Sequence, residues 1–142
     1  MNTHKYHVAI NWTEGRRGIV SSNVIPTKIE VATPPEFDKG VAGFWSPEHL
    51  FTASVITCFT TTFLAIAEYS KFEFETLNCD AEGVLDKVDG KFLMTEINLT
   101  AILKISNIEE KEKAERILHK SEAACLISNS IKTKVNLTCE IS

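Results

Sequence analysis

From His4 to Trp12 the residues Tyr6, Val8, Ile10 and Trp12 alternate with less apolar neighbours, the two-residue period of a half-buried strand. The polar run Thr13 to Gly18 (TEGRRG) predicts a turn, and Gly18 leads into a second strand ending near Ile25. Pro26 interrupts it, and Thr27 to Ala32 resumes a short β-prone segment. Thr33 to Trp45 holds Pro34, Pro35, Gly40 and Gly43 and reads as a long surface loop. Then the period changes. Ser46 is suited to cap a helix, Pro47 to occupy its first position, where a missing N–H costs no bond, and Glu48 to face its positive end. From Leu50 to Tyr69 only Glu68 is charged, so this helix must be covered nearly all round, as a central helix or at a subunit interface.

Phe72 to Leu85 and Lys91 to Ile105 predict two long antiparallel strands joined at Asp89-Gly90, a pair suited to a tight turn. In the second, Ile97, Leu99, Ala101, Leu103 and Ile105 share one face, and Glu96, Asn98 and Lys104 the other. A further helix follows, capped by Ser106 with Glu109 or by Asn107 with Glu110. Its seam is Ala114, Ile117, Leu118, Ser121, Ala124 and Cys125, spaced by three and four, and its other face is charged. Lys132 to Ile141 closes the chain as a strand with Val135, Leu137, Cys139 and Ile141 on one face. The pattern is that of an α+β fold, and 142 residues suit a single domain, 1–142.

Composition narrows the function. Fifteen basic against nineteen acidic residues give a net charge of -4 and no basic stripe, which argues against nucleic-acid binding. The polar start, Met1 to Tyr6, has no signal-peptide core, and no segment reaches about 18 uninterrupted apolar residues. A cytoplasmic protein without a membrane span is therefore expected. The four histidines form no ligand-spaced cluster and no cofactor loop is recognisable, so neither a metal nor a cofactor is expected.

Four cysteines remain as chemistry, with no CxxC among them. Cys79 shares a face with Leu77 and Ala81, and Cys139 belongs to the apolar side of the last strand; both read as small buried hydrophobes. Cys58, among Val55, Phe59, Thr62 and Phe63, also suits packing, since an apolar surround raises a thiol pKa. Cys125 lies near the end of the amphipathic helix. Two helices facing each other along these seams would bring Cys58 and Cys125 together as nucleophile and resolving thiol. A reactive Cys58 needs a positive charge, for which Arg16 and Arg17 are candidates, and such an arginine needs a carboxylate to orient it. Glu48 is the candidate. It stands ten residues before Cys58, about 15 Å along a helix, so it acts through the arginine and not on the thiol.

Three segments in order carry a resemblance: TEGRRG with SS within Thr13 to Ser22, SPEHLFTASVITCF at Ser46 to Phe59, and EAACLISNS at Glu122 to Ser130. Together they resemble the family of the osmotically inducible protein C and the organic hydroperoxide resistance proteins, over almost the whole chain. The resemblance implies curved antiparallel sheets packed around a long central helix in an intertwined homodimer, with active sites at the subunit interface. It implies a peroxidatic Cys58 and a resolving Cys125, separated by 67 residues as the family would show. Arg16 takes the place of the hydroperoxide-resistance arginine, with Arg17 as its rival, and Glu48 that of the glutamate holding it. The family's second cysteine is often followed by proline; here Leu126 and Ile127 follow, the mark of a divergent branch.

The implied activity is thiol-dependent reduction of organic hydroperoxides to alcohols, through a Cys58 sulfenic acid and a Cys58–Cys125 disulfide. An external dithiol, such as a lipoyl-bearing protein, would reopen it. Phe51, Phe59, Phe63 and Trp45 suit either an apolar approach for the peroxide or plain core packing. The alternative is a non-enzymatic homodimer of the same fold that binds an apolar ligand or senses redox state. Acyl transfer by Cys58 would need a histidine base beside it, and His49 is nine residues away.

Overall fold

The computed structural model describes residues 3–142. The chain falls into two compact units, one reaching Leu50 and the other Phe51–Ser142.

The first unit is a three-stranded antiparallel meander, β1 (Ala9–Glu14), β2 (Arg17–Ser22) and β3 (Ile25–Ala32). Gly15, in the left-handed region at φ 52°, and Arg16 form the β1–β2 turn. Gly18 pairs with Trp12, and a Cβ there would stand 3.1 Å from Asn11 O and 3.2 Å from the Ile10 side chain. Three expectations change. The first strand starts at Ala9 rather than His4, and all six of its residues are exposed instead of half-buried, Ile10 at 63% and Trp12 at 76%. The second strand ends at Ser22, where Asn23 and Val24 turn the chain. Pro26 lies inside β3 instead of breaking it: β3 is an edge strand with a register shift between Val20 and Ser22, so the missing N–H breaks no regular ladder bond. The following loop returns to the sheet through Ala32 N–H to Trp45 O at 2.9 Å and Val41 N–H to Thr33 O at 2.9 Å.

Helix α1 (Pro47–Tyr69) starts as its sequence requires, with the Ser46 hydroxyl accepting from His49 N–H at 3.1 Å. It leaves through Lys71 at φ 54°, with Phe72 N–H bonded back to Ala67 O at 2.8 Å. That exit places Phe72 in the core, so the long hairpin begins later than expected: β4 is Phe74–Val88 and β5 is Lys91–Ile105. Asp89 and Gly90 make the turn, at φ 50° and 80°.

In the second unit the sheet order is β4-β5-β6, with β6 at Lys134–Ile141. Ile97, Leu99, Ala101, Leu103 and Ile105 of β5 are buried, on the face that alternation assigned them. They meet Val55, Phe59, Phe63 and Ala67 of α1, a stripe recurring every four residues, together with Ala114, Ile117 and Leu118 of α2 (Lys111–Ala123). Phe63 stands edge-on to Phe74, ring centroids 5.3 Å apart. α1 has the length and mean hydropathy of a membrane-crossing helix, 1.8 over 18 residues, but a helix that lines a globular core satisfies the same composition. Among the described residues one stripe of α1 is fully buried, and Leu64 stays exposed.

The sheet is mixed and not wholly antiparallel. β4 and β5 are antiparallel, but β6 runs parallel to β5, because α2 forms a crossover that carries the chain back along the sheet. Asn136 fixes that register, donating to Asn98 Oδ1 at 2.9 Å and Glu96 Oε1 at 3.1 Å. Asn107 caps a short 3-10 turn (Ile108–Glu110) ahead of α2, accepting from Glu109 N–H at 3.0 Å, rather than pairing with Glu110. α2 ends at Ala123; Ala124 is exposed and leaves the expected seam, and Cys125 sits in the turn beyond.

Candidate active site

The four-residue stripe that anchors α1 decides where Cys58 points. Cys58 and Thr62 each precede a buried phenylalanine, so they sit at the flank of the stripe, and Cys58 is half-buried. Their side chains meet, Sγ to Oγ1 at 3.9 Å. Cys125 is fully buried and is brought to Cys58 by the turn after α2 rather than by a helix seam. Each thiol acts on the ionisation of the other, and both are free cysteines.

The same turn acts on the two sulfurs in opposite directions. Burial pushes the Cys58 thiol up, but the Ile127 backbone N–H, the Cys125 thiol, the Thr62 hydroxyl and the Leu126 backbone N–H together outweigh it, and the net direction is down. Burial pushes Cys125 up; the hydroxyl and backbone N–H of Ser128 oppose this, Cys58 adds to it, and the net direction is up. The Ser128 hydroxyl is buried. Of the pair, Cys58 is the more readily ionised.

The other cysteines are held in thiol form. Cys79 and Cys139 flank Ala101 across the sheet, and burial raises both, partly offset at Cys79 by Thr60 and reinforced at Cys139 by Glu115. Phe59 and Phe63 are fully buried core residues, so of the two readings of these aromatics packing is the one the fold uses.

Arg16 and Glu48 belong to the first unit. Arg16 is exposed at the β1–β2 turn, beside a cleft of about 300 Å³ lined by Ile10, Trp12, Arg17, Val31 and Pro47. Arg17 is engaged: it donates to Glu14 Oε1 at 2.8 Å, approaches Glu30 at 4.0 Å and lies 4.5 Å over the Phe44 ring. Glu48 is half-buried in the first turn of α1. His49 places Nδ1 2.7 Å from the Ser46 hydroxyl, which occupies that nitrogen in a capping contact.

Sequence reasoning missed Thr62, Ser128 and the main-chain donors of Leu126 and Ile127. The signal for the last pair was present, because any residue other than proline after Cys125 keeps its N–H.

The model of the OsmC-like protein family matches residues 40–140. This chain belongs to the OsmC/Ohr-like family. It is 28% identical to the uncharacterized protein YmaD of Bacillus subtilis over all of this chain and 96% of that one. It is 26% identical to the peroxiredoxin OsmC of Escherichia coli over 68% of this chain and 66% of that one. Among solved structures, an OsmC-like protein of unknown function from Vibrio cholerae superposes with a TM-score of 0.86 over 96% of this chain and 99% of the other, at 21% identity. At that identity the superposition establishes the OsmC-like fold.

Proposed function

We propose that this OsmC-like chain is a cysteine peroxidase that reduces organic hydroperoxides to alcohols. The observation that carries the reading is a pair of free thiols that act on each other's ionisation in opposite directions, the half-buried Cys58 lowered and the fully buried Cys125 raised. The names of its relatives agree: one is a peroxiredoxin, and solved neighbours from Legionella pneumophila and Elizabethkingia anophelis are named organic hydroperoxide resistance proteins.

In this mechanism the Cys58 thiolate attacks the outer oxygen of ROOH, the O–O bond breaks, and the departing alkoxide takes a proton and leaves as ROH. Sulfur is oxidised by two electrons to the sulfenic acid. The Cys125 sulfur then attacks the Cys58 sulfur; its proton and the sulfenic hydroxyl leave as water, and a disulfide remains. An external dithiol reduces the disulfide by two exchange steps and is itself oxidised, restoring both thiols. Arg16 supplies the charge that favours the thiolate and the developing alkoxide, and Glu48 orients Arg16. That choice over Arg17 is supported by Arg17's engagement with Glu14 and Phe44. The working unit is a homodimer, in keeping with the uncovered Trp12 and Leu64.

Titration of the reduced protein with an organic hydroperoxide, followed by peptide mass mapping, tests the reading. One equivalent of peroxide should consume two thiols per chain and yield a Cys58–Cys125 crosslink, absent in Cys58→Ser. Oxidation at Cys79 or Cys139 with Cys58 left reduced would overturn it. Inert thiols in a folded protein would select the ligand-binding alternative.

A further inference from the structure

Helix α2 carries its charge unevenly. Lys113, Arg116 and Lys120 follow one another at spacings of three and four, so all three share one face. Like charges at those spacings destabilise a helix, and a face that is merely solvated gains from alternating signs instead. Lys120, in the last turn, suits the negative end of the helix. Arg116, in the middle, gains nothing of that kind.

These three cations border a cavity of about 290 Å³, whose remaining lining is Ile66 and Ser70 at the end of α1 and Ile117 of α2. All six residues belong to the second unit, and neither a carboxylate nor a cysteine is among them. Ile117 is buried and Ile66 half-buried, whereas Arg116 and Lys120 are exposed, so an apolar floor lies beneath a cationic rim. Lys113 is already fixed in place. Its ammonium donates to Ser70 O at 3.3 Å, stands 3.9 Å from Glu110 and lies 5.9 Å over the Phe72 ring. Among the described residues, Arg116 and Lys120 form no ion pair.

We propose that this cavity binds a small organic carboxylate, its oxygens held by Arg116 and Lys120 and its short apolar body lying on Ile66 and Ile117. A guanidinium offers a planar pair of donors that matches a carboxylate, and hydrogen bonds between charged groups are about twice as strong as neutral ones. The bound charge also relieves the repulsion between Arg116 and its neighbours four residues on and three residues back. The chain as a whole is acidic, at a net charge of -4, so it does not gather anions in general. Attraction at this cavity comes from local placement. At about 30 Å³ for each group of water size, the volume suits a carboxylate of about six carbons.

The experiment titrates the full chain with hexanoate, acetate and hexanol, followed by calorimetry and by amide chemical shifts. Hexanoate should bind about tenfold or more tightly than acetate, which has the same head and almost no body. Hexanol, the body without the charge, should bind at least about tenfold more weakly than hexanoate. The largest shifts on adding hexanoate should fall at Ile66, Ser70 and Ile117. Arg116→Gln and Lys120→Gln alter exposed side chains and should each weaken hexanoate about tenfold, the loss of one hydrogen bond between charged groups. Lys111→Gln removes the same charge from the same helix but outside the cavity, and should change the affinity less than about twofold. Circular dichroism verifies that each variant keeps its fold. Absence of hexanoate binding at millimolar concentration, or shifts centred elsewhere, would overturn the site. So would acetate or hexanol binding as tightly as hexanoate, or Lys111→Gln costing as much as Arg116→Gln. None of these readouts involves a thiol or a peroxide, so the site stands or falls separately from the peroxidase.

Discussion

Cys58 and Cys125 carry the same side chain and act on each other's ionisation, so their difference comes from what else surrounds each sulfur. Burial raises both, and only at Cys58 do hydrogen-bond donors outweigh it. Since the thiolate is the reacting form, a lowered pKa enlarges the reactive fraction at neutral pH and a raised one shrinks it. With rising pH, alkylation read by mass spectrometry should therefore reach Cys58 first, with a midpoint below that of an ordinary thiol, and reach Cys79, Cys125 and Cys139 only later. Cys125→Ser should leave the first step intact and trap the sulfenic acid, seen as a dimedone adduct on Cys58. A variant that traps nothing while still consuming peroxide would remove Cys125 as resolving thiol. Arg16→Ala should slow hydroperoxide reduction by about a hundredfold, the loss expected for one preorganised donor to developing charge. Arg17→Ala, which loses contacts to Glu14 and Phe44, should change activity far less. The reverse ranking in a stopped-flow assay would exchange their roles.

Elements were most legible where a single interaction sets them. Ser46-Pro47 names the start of α1, Asp89-Gly90 the hairpin turn, and alternation in β5 the buried face, all local chemistry that tertiary packing leaves alone. Where tertiary partners decide, pattern and structure part: β1 is exposed and not half-buried, Pro26 lies within β3, and β6 runs parallel to β5. The strand period is the same for parallel and antiparallel pairing, so the direction of β6 is written in the α2 crossover and not in β6 itself. The site divides in the same way. Cys58 and Cys125 could be singled out, but for the main-chain donors near them residue type tells only that an N–H is present, not where the turn aims it. The legible part makes a stability prediction. Ser46 is fully buried and supplies the α1 cap, so Ser46→Ala should destabilise the protein by about 1–2 kcal/mol in urea melts. Phe59→Ala, which opens a cavity at the centre of the stripe, should cost about 3–5 kcal/mol. A smaller loss at Phe59 than at Ser46 would show that the α1 stripe does not anchor the core.

At the scale of the whole molecule, large apolar side chains stand in water in both units. Tyr6, Ile10 and Trp12 of the first unit are 89%, 63% and 76% exposed, and Leu64 on the open side of α1 is 46% exposed. A helix almost free of charge was expected to be covered all round, and one chain covers a single stripe of it. A second copy of the chain is the occupant that the family resemblance implies. In a two-fold dimer any patch that is used is used twice, so one substitution acts at two symmetric places. Trp12→Glu places a charge on the largest exposed side chain of β1, all six of whose residues are exposed. The wild type should sediment as a dimer at micromolar concentration. Trp12→Glu should raise the dissociation constant about thirtyfold or more, the effect of losing a buried aromatic anchor, while its monomer keeps native circular dichroism. Sedimentation of the wild type as a monomer at every concentration would remove the homodimer. A Trp12→Glu protein as tightly dimeric as the wild type would keep the dimer and move its interface away from the β1 face, leaving the open side of α1 as the surface to substitute next.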